Sequence, residues 1–280
     1  MEIGTTNDAY GRYGEARYQI MREDGYAFCD FNLANTEQPV YNCGEEAFTA
    51  FMAAERELAE AAGIAFSQVH GPWRYPPRDG TEEERAERLV KMRRCIRATA
   101  LLGCASFVIH PIMPFGPDDD PDPAWLFQMN VDFFKALLPT ARENGVYICL
   151  ENMPMRGLSL STPAQILRLV KALDDPLVKI CLDTGHCAVF GIQPADALRE
   201  LGDYVKVLHI HDNGGQYDEH RHPYTGVIHW EDFACALKET GYAGVLSLET
   251  SPHPQLNEEA YRAVNKALAL IARQIADLAE

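Results

Sequence analysis

The chain has 280 residues, enough for one large core, and a single α/β barrel typically uses about 250. Its 25 Lys and Arg stand against 41 Asp and Glu, a formal net charge of −16 that disfavours nucleic acid and anionic membrane, because both need phosphate to be neutralised by cations. The start, MEIGTTNDAY, has no basic segment leading into an apolar one, and no apolar run nears the ~20 residues that span a bilayer, so a soluble cytoplasmic protein is expected.

Strand-like and helix-like periods alternate along the chain. IGTTN precedes YGEARYQIMRED, YAFCDFNLA precedes GEEAFTAFMAAERELAEAAG, and IAFSQVHG precedes EEERAERLVKMRRCIRATALLG. SFVIHP leads to PAWLFQMNVDFFKALLPTARENG, VYICLENMP to TPAQILRLVKALDD, and VKICLDTGH to QPADALRELGDY. VKVLHIHD runs into a long polar loop and WEDFACALKETG, and GVLSLETSP into the closing helix, NEEAYRAVNKALALIARQIADLAE. Helices end repeatedly on Gly (Gly63, Gly103, Gly145, Gly241), as turns with a left-handed residue after the helix do. Nearly continuous apolar strands suit a parallel sheet covered on both faces. Eight units argue for an α/β protein with a (β/α)8 barrel as a single domain over residues 1–280. An open doubly wound sheet is the weaker alternative, since no GxGxxG fingerprint supports it. Eight cysteines form no CxxC pair, and several sit in apolar runs, so they read as reduced core residues.

In such a barrel the C-terminal ends of all strands meet at one mouth. Those ends carry His70, His110, Glu151, Asp183 with His186, His209 with His211, and Glu249. Taken singly, Asp183 in CLDTGH could merely cap the next helix, and a lone His is more often a hydrogen-bonded structural residue than a ligand. A Glu closing an apolar strand is harder to explain, because carboxylates are rarely buried without a partner. Their recurrence on successive strands calls for a shared cation. Glu151, Asp183, His209 and Glu249 supply three carboxylates and one imidazole, about one βα unit apart. That set suits Mn²⁺ best, with Co²⁺, Mg²⁺ or Zn²⁺ as substitutes, rather than a thiolate-held structural zinc.

With ENMP, LDTGH, HIHDN and SLET, the chain resembles the xylose isomerase-like barrels, a superfamily of ketose 3-epimerases, other sugar isomerases, inosose dehydratases and endonuclease IV. The resemblance implies one divalent metal on Glu151, Asp183, His209 and Glu249, catalytic proton transfer by Glu151 and Glu249, and substrate contact by His186. It selects His209 over His211, because the ligand stands three residues before an acidic residue, here Asp212; His211 is then expected to be a loop residue near the rim. The activity implied is isomerisation or epimerisation of a sugar, sugar phosphate or polyol through an enediolate. A metal-dependent dehydratase would use the same parts. Endonuclease IV is the rival, because His70, His110, His186, Asp218 and His220 match the further ligands of its three zinc ions. The basic insertions of a DNA enzyme are missing, however: GPWRYPPRDG runs into TEEE, and PIMPFGPDDDPDP is acidic. A noncatalytic metal-stabilised barrel is weaker still, since structural sites are normally closed. His70, His110 and His186 can exchange hydrogen bonds with sugar hydroxyls, Trp73, Tyr75 and Phe115 can pack on its C–H face, and Tyr10 and Tyr13 are weaker candidates. A homo-oligomer is compatible with all of this.

Overall fold

Local signals in the sequence set the element boundaries. The computed structural model describes residues 1–33, 39–72, 78–114 and 122–280. Strand β1 (Ile3–Thr6) passes through a 3-10 turn into α1 (Arg17–Asp24), followed by β2 (Phe28–Asn32), a short α2 (Pro39–Asn42) and α3 (Glu45–Ala61). Then come β3 (Ala65–His70), α4 (Glu82–Leu101), β4 (Ser106–Ile109), α5 (Pro123–Asn144), β5 (Tyr147–Glu151) and α6 (Pro163–Leu173). The last part holds β6 (Val178–Asp183), α7 (Thr184–Val189), α8 (Pro194–Leu201), β7 (Val205–His209), α9 (Trp230–Glu239), β8 (Leu246–Leu248) and α10 (Glu258–Leu278). Thr81 with Glu84 and Thr162 with Gln165 form reciprocal capping boxes, satisfying the free N–H groups that start α4 and α6. Gly145 ends α5 with φ 65°, a left-handed conformation that costs glycine nothing.

The eight strands lie in the order β7-β6-β5-β4-β3-β2-β1-β8, and every neighbouring pair is parallel. Just past the end of β7 the ring closes: Ile210 N–H donates to the Ser247 carbonyl at 2.9 Å, and Glu249 N–H to the Ile210 carbonyl at 3.0 Å. The expected (β/α)8 barrel is therefore the fold.

Most of the core lies between the strands and the helices. A separate buried layer of Val108, Cys149, Cys181 and Val207 lies on the opposite face of β4–β7. Side chains two apart on a strand share a face. The residues two further along these four strands, His110, Glu151, Asp183 and His209, therefore rise from that layer toward the mouth. Six cysteines are buried; Cys43 is half-buried and Cys235 is exposed, so the core reading does not extend to those two.

Candidate metal centre and catalytic site

Glu151, at the end of β5, is at the middle of the site. Its Oε1 lies 2.8 Å from His209 Nδ1, and its Oε2 lies 3.0 Å from His110 Nε2 and 3.3 Å from His70 Nε2. The His209 Nε2 lies 3.0 Å from Asp30 Oδ2, an oxygen that also accepts from Gln68 Nε2 at 3.0 Å. A carboxylate behind an imidazole fixes ring orientation and leaves the other nitrogen pointed at the site. The parallel register between β2 and β3 shifts between Cys29 and Asp30. Asp183 ends β6 and does two things at once: Oδ1 caps α7 by accepting the His186 N–H at 2.6 Å, while Oδ2 lies 3.0 Å from His211 Nε2. Asn152 holds Asp183 from the neighbouring strand, accepting its N–H at 2.8 Å and donating to its carbonyl at 3.0 Å.

One ligand-type atom from each of Glu151, Asp183, His209 and Glu249 lies within 4.8 Å of the others. Metal–ligand distances of about 2.0–2.4 Å give opposite ligands a separation of about 4.0–4.8 Å, so one cation matches the group. The donor chemistry agrees. With Nε2–H given to Asp30, Nδ1 of a neutral His209 presents a lone pair to Glu151 and, at 3.3 Å, to Glu249 Oε2, a buried oxygen with no hydrogen-bond partner among the described residues. Acceptors facing acceptors need a positive charge among them. Without a metal, His209 is raised well above the ordinary range: burial opposes this, but the Cys181 thiol, the Glu249 and Glu151 carboxylates and the Asp30 hydrogen bond outweigh it. Burial would raise Glu151, yet His209 and His110 hold it well below the carboxylate range; Glu249 is raised, chiefly by burial. Burial pushes His110 down to about 4.

A second group stands beside the first. The His186 and His220 Nε2 atoms lie 3.3 and 3.2 Å from Asp218 Oδ2, and the His211 ring stacks on His220 at 4.1 Å between centroids. One ligand-type atom from each of His186, His211, Asp218 and His220 again falls within 4.8 Å of the others, three nitrogens and one oxygen, a zinc-type donor set. His70, Glu151 and His209 make a third such group. Burial would lower His186, but Asp183 and Asp218 raise it to about 10; His220 is likewise raised against burial to about 10 by Asp218 and Glu249.

His211 is a correction to the sequence reading. It is fully buried, not a rim residue. Its N–H donates to Thr184 Oγ1 at 3.0 Å, and the Thr184 hydroxyl donates to its carbonyl at 2.7 Å. Gly185 makes room for the ring: a Cβ there would lie 2.0 Å from His211 Cε1. Asp30, Asn152 and Asp212 were missed as well. Asp212 accepts from the backbone N–H groups of Asn213, Gly226 and Ile228 and from Trp230 Nε1, folding the loop that carries Asp218 and His220 back over the mouth. The available signal was parity, since Asp30 and Asn32 alternate with apolar Phe31 in β2, and His211 is two residues beyond His209.

His70, His110, Glu151, His186, Asp218 and Glu249 line a cavity of about 310 Å³ above these groups. Trp73, Tyr75 and Phe115 lie outside the described residues. Tyr10 does not face the cavity: it is fully buried, with its hydroxyl donating to Asp24 Oδ2 at 3.1 Å.

Residues 19–270 match the sequence model of the xylose isomerase-like TIM barrel family, and the chain belongs to that family. Among its relatives, an inosose dehydratase of Lacticaseibacillus casei is 27% identical over 131 residues, 41% of this chain and 43% of the relative. A D-psicose 3-epimerase of Agrobacterium fabrum is 24% identical over 142 residues, 50% of this chain and 47% of the relative. The uncharacterized protein MJ1311 of Methanocaldococcus jannaschii is 36% identical over 124 residues, 43% and 42% of the two chains. Each match thus spans less than half of the relative's length. In fold, the chain superposes on a D-tagatose 3-epimerase-like protein with a TM-score of 0.79 at 23% identity, covering 99% and 98% of the two chains. It superposes on D-psicose 3-epimerase, solved in the presence of D-fructose, with a TM-score of 0.78 at 18% identity over all of both chains. No helix among the described residues is long and apolar enough to cross a membrane.

Proposed function

We propose that the protein is a divalent-metal-dependent isomerase or epimerase, working in the cytoplasm on a small sugar or polyol. One observation carries the reading: the carboxylates of Glu151 and Glu249 approach the same His209 nitrogen, at 2.8 and 3.3 Å, on the floor of a cavity large enough for a sugar. The 3-epimerases and the dehydratase among the relatives support it. Glu151, Asp183, His209 and Glu249 would hold the metal, best Mn²⁺ by donor set, which would stabilise negative charge developing on the substrate oxygens. One glutamate removes the carbon-bound proton next to the substrate carbonyl, giving an enediolate, and the other returns a proton to the opposite face. His70, His110 and His186 line the same space and orient the hydroxyls. The test is an assay of Mn²⁺-, Co²⁺- and Mg²⁺-loaded protein against ketoses, aldoses and inososes in D₂O. Solvent deuterium at the rearranged carbon is expected; turnover with complete retention of substrate hydrogen would replace proton transfer with a hydride shift.

A second reading rests on the group His186, His211, Asp218 and His220. With the other two groups it could carry several zinc ions and cleave phosphodiesters, as endonuclease IV does. Elemental analysis separates the two: near one manganese-type ion per chain supports the sugar enzyme, whereas near three zincs with cleavage of an abasic-site oligonucleotide supports the hydrolase.

A further inference from the structure

The cavity above the glutamates does not end at the barrel mouth. A second cavity of about 570 Å³ opens beside it, under the loop after β8, and shares Asn32, His220 and Glu249 with the inner one of about 310 Å³. The two therefore adjoin at Asn32, His220 and Glu249. Ligand pockets run from about 300 to 1,000 Å³ and enclose most of their ligand, so the inner chamber suits one ring and leaves the outer chamber to something else.

The outer chamber is firmly built. The Arg12 guanidinium donates to the Pro254 carbonyl at 2.9 Å and to the Leu256 carbonyl at 3.3 Å, pinning the β8 loop to the first βα connection. The Thr250 hydroxyl donates to the His220 carbonyl at 2.6 Å, and His220 Nδ1 lies 2.8 Å from the Glu249 carbonyl, tying that loop to the one after β7. The wall is two-sided. Ser251, His222 and His253 supply hydroxyl and imidazole groups, while Pro252, Leu256 and Val264 supply apolar surface. A pyranose has this same division, with hydroxyls at its edge and C–H groups on its face.

Charge narrows the ligand further. Among the described residues lining the chamber there is no Lys or Arg, and Asp8 and Glu219 are among them. The Arg221 guanidinium, nearby in sequence, is paired with Glu219 at 2.6 Å. The cationic imidazole in the lining, His220, is already paired with Asp218 at 3.2 Å, so a phosphate or carboxylate would meet Asp8, Glu219 and Glu249 with no guanidinium fork to receive it. We infer that the outer chamber is a subsite for a second, uncharged sugar or polyol unit, so the preferred substrate is a neutral disaccharide-sized carbohydrate with its reacting carbon in the inner chamber. The inference rests on reading the inner site as a carbohydrate enzyme, and it is tested by binding, independently of turnover.

Calorimetry on the metal-loaded protein with two unreactive alditols, lactitol with two units and glucitol with one, decides it. Lactitol should bind at least roughly tenfold more tightly. Ser251→Trp, which fills the outer chamber from an exposed position, should remove that advantage while glucitol still binds; His253→Ala should reduce it and serves if the Trp variant does not fold. Equal affinity for the two alditols, no measurable lactitol binding, or an advantage untouched by either folded variant overturns the subsite. Turnover is scored separately with lactulose and with the ketoses, aldoses and inososes above. If none reacts while lactitol keeps its advantage, the isomerase reading falls and the subsite stands; if a monosaccharide or inosose reacts and the advantage is absent, the reverse holds.

Discussion

Adding one methyl group at Gly185 tests the packing that joins the two ligand groups. A Cβ there would sit 2.0, 2.3 and 2.8 Å from Cε1, Nδ1 and Nε2 of His211. Carbon atoms need about 3.5 Å, so the ring has to retreat by about 1.5 Å. It cannot do so and keep the 3.0 Å contact of its Nε2 with Asp183 Oδ2 or its stack on His220. A hydrogen bond to a charged group contributes about 1.5–3 kcal/mol, and forced overpacking costs about 1–3 kcal/mol. Against this, Gly→Ala inside helix α7 would by itself stabilise by about 1 kcal/mol. The balance is a net loss of about 1.5–5 kcal/mol, or about 3–10 °C in Tm at roughly 2 °C per kcal/mol for a chain of this size. Thermal and urea unfolding of metal-free Gly185→Ala should show that loss. In a His211→Ala background the clash has no partner, and the same change should be neutral or slightly stabilising. A Gly185→Ala protein as stable as the parent, or one equally destabilised in both backgrounds, would refute the argument.

Glu249→Gln keeps the shape of the side chain but removes the base; turnover should fall at least about a hundredfold and solvent deuterium incorporation should change, while near-normal activity would remove Glu249 from the proton path. Asp30→Asn replaces the acceptor behind His209 and should weaken metal binding about 10–100-fold, measured by competition with a chelating dye; unchanged affinity would leave Asp30 a packing residue. His186 and His220, raised from 6.5 to about 10, hold protons at neutral pH in the metal-free protein and must lose them to ligate a metal. Zinc taken up by the second group, His186, His211, Asp218 and His220, should therefore release protons, seen as a buffer-dependent heat, and bind more tightly as pH rises toward 10; the ion pairs' own contribution to metal-free stability is full below 6.5 and lost as pH rises through about 10. Asp212→Asn turns two of four accepted hydrogen bonds into donor–donor contacts and should cost about 3 kcal/mol; a shift in Tm under about 2 °C would show that the loop is held by other means.

The alternation of strand and helix, and therefore the barrel, is written locally. Apolar runs of four to six residues, caps such as Thr81-x-x-Glu84 and left-handed stops such as Gly145 each act within a few residues, so the chain order alone displays them. The barrel also makes the strand ends legible, because parallel strands in sequence order bring Glu151, Asp183, His209 and Glu249 to one mouth, whatever their spacing. Which neighbours those groups have is another matter. Asp30 meets His209 across 179 positions, through a register shift in β2 that no local pattern announces. His211 looked like a rim residue because β7 ends at His209, yet Ile210 pairs with Leu248 and continues the alternation for two more residues, carrying the ring inward over Gly185. The second ligand group and the outer chamber depend on how Asp212 folds the β7 loop and how Arg12 pins the β8 loop. Periodicity needs only neighbours along the chain, whereas these contacts exist only after the barrel has closed and buried polar groups have found partners across it.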